Sequence, residues 1–173
     1  MTKNFTKLIV LCLIAGFSFS ACKKSSDNKP TTSDTYSMKL TLNGKAVTYT
    51  TCAAADITAN GIAQFNIIGT NKGNEGLAIG VIADLSKVKA GQVFKAATAY
   101  VQPNSMTMFY TDAANNDYST QLTDPTGSIT ITSVSSTTIK GTFSGKLYDF
   151  DDTAATDLKY TITDGTFVAQ MPK

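Results

Sequence analysis

Apolar and polar residues begin to alternate strictly near residue 37. Residues 38–42 read Met-Lys-Leu-Thr-Leu, residues 47–50 read Val-Thr-Tyr-Thr, and Asn43-Gly44 lies between the two runs. A period of two predicts strands, because successive side chains of a strand point to opposite faces. An Asn-Gly pair between two such runs predicts a hairpin, because both turn positions need a positive φ.

Similar runs recur at short intervals up to the C-terminus. The run 77–83 is apolar on both faces, which predicts a central strand. Residues 84–89 suit one short helical turn, and Asp-Pro-Thr-Gly at 124–127 predicts a turn. The other predicted strands cover residues 62–69, 91–95, 99–102, 106–111, 118–122, 129–132, 139–147, 160–162 and 167–169.

The last two runs are out of phase with each other. A bulge at Asp164-Gly165 would restore the apolar face, since Gly accepts the left-handed conformation; a tight hairpin at the same pair is the alternative. The count is about nine short strands without a long helix, which predicts an all-β domain over residues 37–173. We expect an antiparallel two-sheet β-sandwich, with a calycin-like closed β-barrel as the alternative.

The N-terminus has a different pattern. Lys3 and Lys7 precede an apolar stretch at 8–19, and Ser20-Ala21-Cys22 follows. This arrangement resembles the signal peptide and lipobox of bacterial lipoproteins, with Phe19 where Leu is usual. The resemblance implies that residues 1–21 are removed and that Cys22 carries the lipid, palmitate included. An ordinary secretory signal or a membrane-spanning helix is the alternative, but the run is shorter than the roughly 20 residues of a span.

Residues 23–36 are polar and predict a flexible tether that, together with lipidated Cys22, precedes the domain. Lys23 follows the cysteine directly, unlike the Asp that retains some lipoproteins in an inner membrane. We therefore expect a protein that is lipid-anchored in the outer membrane.

Charge argues against nucleic acid as a partner. The chain has 15 basic residues, all Lys; without Lys3 and Lys7 the mature chain has 13, against 13 Asp and Glu. A nucleic-acid binder needs a basic field and usually Arg, and neither is present.

Candidate catalytic groups are few. The chain lacks His, Arg and Trp, and Glu75 is its one Glu. Cys52 is the one thiol left in the mature chain, and without a His to activate it we expect a small buried hydrophobe. A paired-carboxylate glycosidase stays formally open, but we expect no enzyme and no cofactor.

One stretch concentrates acidic residues: Asp149, Asp151, Asp152 and Asp157. We interpret it as a solvated loop. A calcium site is the alternative, because Ca²⁺ takes several carboxylate and carbonyl oxygens, although the Gly and distal Glu of an EF-hand are missing. Within this stretch, Asp152-Thr153-Ala154 resembles a short acceptor motif for O-glycosylation in Bacteroidota, which makes Thr153 a candidate for modification.

Aromatic residues and methionines mark the less regular middle of the chain. Tyr100, Tyr110 and Tyr118 form a row that could stack on sugar rings or simply pack in the core. Met106 and Met108 share a face with Tyr110, which suits an apolar ligand cavity or a core.

The C-terminal third carries a family resemblance. Residues 127–133 (GSITITS), 139–144 (IKGTFS) and 160–167 (YTITDGTF) resemble the shared pattern of small Bacteroidota outer-membrane lipoproteins of unknown function. The early Asn43-Gly44 turn followed by Lys also resembles theirs, with Tyr49 as the nearest aromatic residue. The resemblance implies a β-domain of the cell envelope and carries over no catalytic residue.

These observations predict a lipid-anchored, non-enzymatic envelope domain that binds a glycan, an apolar small molecule or a partner protein. The alternative is an assembly subunit that pairs with a neighbour through its edge strands. A binding module should have a concave patch of Tyr or apolar side chains, an assembly subunit a long uncapped edge strand, and an enzyme two carboxylates converging in a cleft.

Overall fold

The computed structural model describes residues 35–59, 61–71, 73–99 and 101–172. The predicted signal peptide, Cys22, the tether up to residue 34 and Tyr100 lie outside the described residues. No helix within the described ranges is long and apolar enough to cross a membrane.

The described residues form eleven strands and one short 3-10 helix. The strands are β1 (Ser37–Leu42), β2 (Lys45–Tyr49), β3 (Thr51–Ala59), β4 (Ile62–Thr70), β5 (Gly76–Val81), β6 (Val93–Ala96), β7 (Ser105–Thr111), β8 (Asp117–Ser119), β9 (Gly127–Val134), β10 (Thr138–Asp149) and β11 (Leu158–Gln170). The 3-10 helix, η1 (Leu85–Lys87), is where a helical turn was predicted.

This architecture confirms the predicted all-β class. The preference for a sandwich over a calycin-like barrel stays a prediction. β3 was not predicted, because its three consecutive alanines, 53–55, have a low strand propensity. Pairing with β4 along its whole length, from Thr51↔Thr70 to Ala59↔Ile62, overrides that local preference.

The strands follow the order β2-β1-β11-β3-β4-β5-β7-β6-β9-β10-β8, with further pairings β10–β11 and β7–β8. Two pairings are parallel and very short: β11 meets β3 only at Gln170↔Ala53, and β6 meets β7 only at residues 95–96. These two seams separate a β4 half (β3, β4, β5, β7) from a β10 half (β1, β2, β6, β9, β10, β11). β8 pairs with a strand of each half.

Both halves turn one face to a single hydrophobic core. The apolar positions of the alternating strands supply it, as their period of two requires. The largest fully buried side chains are Tyr49, Phe65, Phe167, Met38, Ile67, Leu77, Ile79, Met106, Met108, Ile129, Ile131 and Ile139.

The first hairpin forms as predicted. Asn43 and Gly44 have φ values of 47° and 79°, and Leu42 pairs with Lys45 across the turn. The Asn43 side chain adds a contact that the local pattern did not predict. Its amide donates to the Lys159 carbonyl oxygen at 2.8 Å, and its oxygen accepts from the Thr161 N–H at 2.7 Å. The turn is therefore fastened to β11.

The predicted bulge in β11 is present, and the tight hairpin is wrong because the strand continues through it. Between the pairs Phe143↔Gly165 and Gly145↔Ile162, two residues of β11 face the single residue Ser144. Asp164, not Gly165, takes the left-handed conformation, with φ 53°. Gly165 is needed for space: a Cβ there would lie 2.5 Å from the Phe143 carbonyl oxygen.

One predicted strand is wrong. The described residues of 99–102 form a bend and turn, and Val101 has a φ of 58° and is 52% exposed. A local hydrogen bond fixes this turn: the Thr98 N–H donates to the side-chain oxygen of Gln102 at 2.8 Å.

Candidate functional site

The outer face of the β10 half is lined with hydroxyl side chains. Alternation along β9, β10 and β11 buries Ile and Phe and so turns Ser and Thr outward. The register then places these residues side by side. One continuous row crosses five strands, with Thr166, Thr142 and Thr130 in the middle and Lys39 and Val93 at its ends.

A parallel row runs beside it through the bulge. Lys95 pairs with Ser128, Ser128 pairs with Ser144, and Ser144 faces the bulged residues Thr163 and Asp164. A bulge re-aims side chains and is common next to functional sites. Here it crowds additional polar groups against the hydroxyl rows.

Two shallow, solvent-open depressions follow these rows. One has a volume of about 400 Å³ and is lined by Ser128, Thr130, Thr142, Phe143, Ser144, Asp164, Gly165 and Thr166. The other has a volume of about 440 Å³ and is lined by Lys95, Thr126, Gly127, Ser128, Ser144, Gly145, Lys146, Thr161, Ile162 and Thr163. They share Ser128 and Ser144, so we call their union the hydroxyl trough.

The charges around the trough are mostly positive. Lys39, Lys95, Lys140 and Lys146 occupy outward positions on its strands, and the acids are Asp164 at the bulge and Asp124, which pairs with Lys146. Each hydroxyl can donate one hydrogen bond and accept two. The trough can therefore hydrogen-bond a polyol along its length and attract negative charge.

Asp124 fixes one end of the trough. Its carboxylate accepts hydrogen bonds from the Thr126 and Tyr148 hydroxyls, and Lys146 Nζ lies 3.2 Å away. The Thr126 hydroxyl, then Tyr148 and Lys146, lower the pKa of Asp124 to about 2. The hydrogen bond that Tyr148 donates to Asp124, followed by the loss of hydration, raises the pKa of Tyr148 to about 12. The group therefore holds a carboxylate and a neutral phenol at physiological pH.

Two tyrosines of the predicted row, Tyr110 and Tyr118, belong to a packed cluster. Tyr110 and Tyr118 stack with ring centroids 5.9 Å apart, and Tyr160, which was not predicted, meets both edge-on at 5.1 and 4.8 Å. Tyr110 donates to Glu75 at 3.2 Å, and Tyr118 donates to Asp112 at 3.1 Å. Only 6% of Tyr110 and 9% of Tyr118 are exposed. Their faces are used for packing, so a sugar ring cannot stack on them.

The cluster is not a source of phenolate. Burial, followed by the negative charge of Glu75, raises the pKa of Tyr110 and of Tyr49. Loss of hydration and the hydrogen bond to Asp112 raise the pKa of Tyr118. The hydroxyl of Tyr49 is buried and has no hydrogen-bond partner among the described residues.

The methionines of β7 belong to the core. Met106 and Met108 are 1% and 0% exposed and pack in the same cluster as Tyr110. Side chains of both halves fill the space around the two methionines. This favours the interpretation that they are core residues over the interpretation that they line an apolar ligand cavity. Cys52 is likewise buried, and burial raises the pKa of its thiol to about 12. A protonated thiol is a poor nucleophile.

The acidic stretch forms a loop tied by its own side chains. Asp149 and Asp157 both pair with Lys159, at 3.3 and 2.5 Å. Asp152 accepts from the N–H groups of Thr156 and of Asp157 at 2.8 and 3.0 Å. Across the described part of the chain, no three acidic, Cys or His side chains gather closely enough to hold a metal ion. Asp149, Asp151 and Asp152 are thus not brought together as a ligand set.

Thr153 lies exposed in this loop. Its carbonyl oxygen accepts from the Thr123 hydroxyl at 2.9 Å, which fixes the backbone. Its own hydroxyl makes no hydrogen bond within the described ranges. The side chain is therefore accessible to a modifying enzyme.

β2, the strand at one end of the strand order, offers little for pairing. β2 is five residues long. The Asn71 side chain donates to the Thr48 carbonyl oxygen at 3.0 Å and accepts from the Thr50 N–H at 3.0 Å, which caps the end of the strand. The long uncapped edge expected of an assembly subunit is not found at β2.

No protein-family model matches the sequence, and no curated protein and no solved structure matches the chain.

Sequence reasoning did not single out the hydroxyl trough. Each of its strands has Ser and Thr on the polar face, which is ordinary for an exposed sheet. Only the register shows that these residues form unbroken rows, because register depends on pairings between residues far apart in the chain. The Asp164-Gly165 bulge was the one local signal within the trough.

Proposed function

We propose that this protein is a lipid-anchored, non-enzymatic domain of the bacterial outer membrane that binds a glycan in its hydroxyl trough. The anchor rests on the lipobox-like Ser20-Ala21-Cys22. The C-terminal pattern that resembles small Bacteroidota lipoproteins supports an envelope location. The observation that carries the binding function is the trough itself, with its two joined depressions.

The chemistry of the trough favours an extended, acidic glycan. Residues on adjacent strands lie about 4.8 Å apart, so the three threonines of the first row span roughly 10 Å and the whole five-strand row spans roughly 19 Å. A row of this length can form more hydrogen bonds with a polymer of hydroxyl-bearing rings than with a compact ligand. Lys39 and Lys95 at opposite ends of the face supply positive charge for carboxylates or sulfates of the sugars.

Affinity electrophoresis tests this function. Native gels contain either alginate, a polymer of uronic acids, or neutral dextran. We expect alginate to retard the protein more than dextran, and added salt to weaken the effect. A double variant, Thr142→Glu with Ser144→Glu, places two negative charges in the trough and should abolish the retardation.

Thr107 supplies the matched control. It occupies an outward strand position on the β4 half, so a double variant of Thr107→Glu and Thr111→Glu changes net charge equally without touching the trough. It should keep the retardation by alginate. Equal loss in both double variants, or no retardation of the original protein by either polymer, contradicts the proposed site.

A further inference from the structure

The outer face of the β4 half is apolar, unlike the hydroxyl trough. The register places four apolar side chains in one row across its strands: Ala53 opposite Ile68, Ile68 opposite Ala78, and Ala78 opposite Phe109. All four are partly exposed and lie on the side away from the core. We call the outward positions of β3, β4, β5 and β7 the apolar face.

Charge is missing from this face. In these four strands, as described, no outward position holds Lys, Asp or Glu. The polar residues are amides and hydroxyls, and Asn66 is only 1% exposed because the Gln64 side chain covers it and donates to it at 3.2 Å. A solvent-facing sheet surface ordinarily mixes both signs of charge.

The lysines are concentrated on the opposite side. Lys39, Lys95, Lys140 and Lys146 all occupy the outer face of the β10 half. The domain therefore has one charged, hydroxyl-rich side and one uncharged, apolar side. Such a division resembles, at the scale of a whole domain, the amphipathic helices that lie in a membrane interface.

The chain enters the domain beside the apolar face. Ser37 pairs with Val168 of β11, and two residues further along the same edge of β11 Gln170 pairs with Ala53. The start of β1 is thus next to the start of β3, the first strand of the apolar face. Fourteen residues separate Cys22 from Ser37, a length of about 45 Å when fully extended.

We infer that the apolar face rests on the surface of a phospholipid membrane while the hydroxyl trough faces away from it. This inference depends on the proposed lipid anchor, because a short tether holds the domain near lipid at an effective concentration in the millimolar range. Phe109 and Phe150, with ring centroids 6.3 Å apart, give the rim of the face aromatic side chains for the lipid interface.

Spin-label accessibility tests the orientation. The mature lipidated protein is bound to phosphatidylcholine vesicles, with one nitroxide at Ala78→Cys on the apolar face or at Thr142→Cys in the trough. Cys52 is buried and stays unlabelled in the folded protein. We expect the label at position 78 to collide more with oxygen than with a water-soluble nickel chelate, and the label at position 142 to show the reverse.

A third variant links the effect to the face. Adding Phe109→Asp to Ala78→Cys places a charge beside the label, so position 78 should become accessible to the nickel chelate. Vesicle flotation should be unchanged, because the lipid still anchors the protein.

Each other outcome is distinct. A protein that does not float with vesicles lacks the anchor, and both the proposed anchoring and this inference fail. A protein that floats with position 78 in water overturns the inference alone. If the label at position 142 is instead shielded from the nickel chelate, the hydroxyl trough contacts the membrane and the inference is wrong. Spin–spin broadening at position 78 that disappears on dilution with unlabelled protein assigns the face to a second copy of the chain.

Discussion

At the scale of single residues, several side chains do more than the local pattern requires. Asn43 was predicted from its left-handed turn position alone. In the structure its amide also joins the hairpin to Lys159 and Thr161, which lie 116 and 118 residues away in sequence. The side chain of a turn residue thereby hydrogen-bonds the first hairpin to the last strand of the domain.

Two substitutions separate these roles of Asn43. Asn43→Gly keeps the positive φ and removes both side-chain hydrogen bonds, so we expect it to lower the free energy of unfolding by about 1 kcal/mol. Asn43→Ala also loses the backbone compatibility and should cost about 1 kcal/mol more. Urea unfolding measures both. A Gly variant as stable as the original protein would show that the two hydrogen bonds contribute nothing.

Asp124 predicts the acid dependence of stability. Its pKa of about 2 in the folded state lies below the ordinary value of 3.8, because Thr126, Tyr148 and Lys146 favour the carboxylate. The stabilisation is complete above the unfolded-state pKa and is lost as the pH falls toward 2. Asp124→Asn should therefore flatten the loss of stability between pH 4 and about 2.

Urea midpoints at a series of pH values between 2 and 6 measure the slope. The pKa of Asp84 is also lowered to about 2, first by the hydrogen bond from the Ser86 hydroxyl. Asp84 should therefore preserve part of the pH dependence of stability in the Asp124→Asn variant. Asp151→Asn is the control, because it removes a charge from an exposed position. An identical slope in the original protein and the Asp124→Asn variant would contradict the assignment.

At the scale of elements, Gly141 allows β10 to lie close to its neighbours β9 and β11. A Cβ on Gly141 would lie 2.4 Å from the Thr130 carbonyl oxygen and 2.6 Å from the Phe167 ring. The Thr130 oxygen belongs to the backbone of a paired strand, so it cannot move away without loss of pairing. The alternation of Gly with Phe in β10 is thus part of how the large rings of the core are accommodated.

Gly141→Ala should destabilise the protein by about 2 kcal/mol or more, because overpacking forces paired backbone apart. Gly80→Ala is the matched control on the β4 half. Its added Cβ would lie 3.2 and 3.3 Å from the side-chain ends of Asn66 and Gln64, and the nearest backbone atom, the Thr107 carbonyl oxygen, is at an ordinary contact distance of 3.8 Å. The substitution should therefore change the free energy of unfolding by less than about 1 kcal/mol. Equal effects of the two substitutions in urea unfolding would show that the contact at Gly141 is not rigid.

At the scale of the whole molecule, the two halves divide the surface by chemistry. The outer face of the β10 half presents hydroxyls and lysines, and the outward positions of the strands in the β4 half hold small, apolar and uncharged polar side chains. The two short parallel seams, at Ala53 and at residues 95–96, are the boundary between these surfaces. The proposed ligand and the proposed membrane contact therefore occupy separate sides of one domain.

The anchor is tested by intact-mass analysis of the protein from its native membrane. We expect residues 22–173 with added acyl groups, and loss of those groups in a Cys22→Ala variant. A mass that retains residues 1–21, or a cleaved chain without lipid, would exclude the anchor.

The same spectra test Thr153. Further mass in hexose-sized steps, absent from a Thr153→Val variant, would identify it as a glycan acceptor, as its exposure in the loop allows. Thr156→Val in the same loop is the control and should leave the added mass unchanged. Added mass that persists in Thr153→Val would assign the modification elsewhere.

Much of the fold follows from the sequence alone. A period of two, Asn43-Gly44 and the phase change at Asp164-Gly165 are local signals, because side-chain alternation and turn conformation are set within a few residues. They determined the all-β class, the first hairpin and the position of the bulge. The strand predicted at 99–102 was wrong because alternation over four residues is too short to exclude a turn.

The tertiary structure decided what depends on residues far apart in sequence. β3 exists because β4 pairs with it, although its alanines do not favour a strand. Tyr160 completed the tyrosine cluster, and the pairing register aligned Thr130, Thr142 and Thr166 into one row. Alternation fixes which residues share a face of a strand, whereas the register between strands fixes which of them become neighbours. The hydroxyl trough and the apolar face are products of that register.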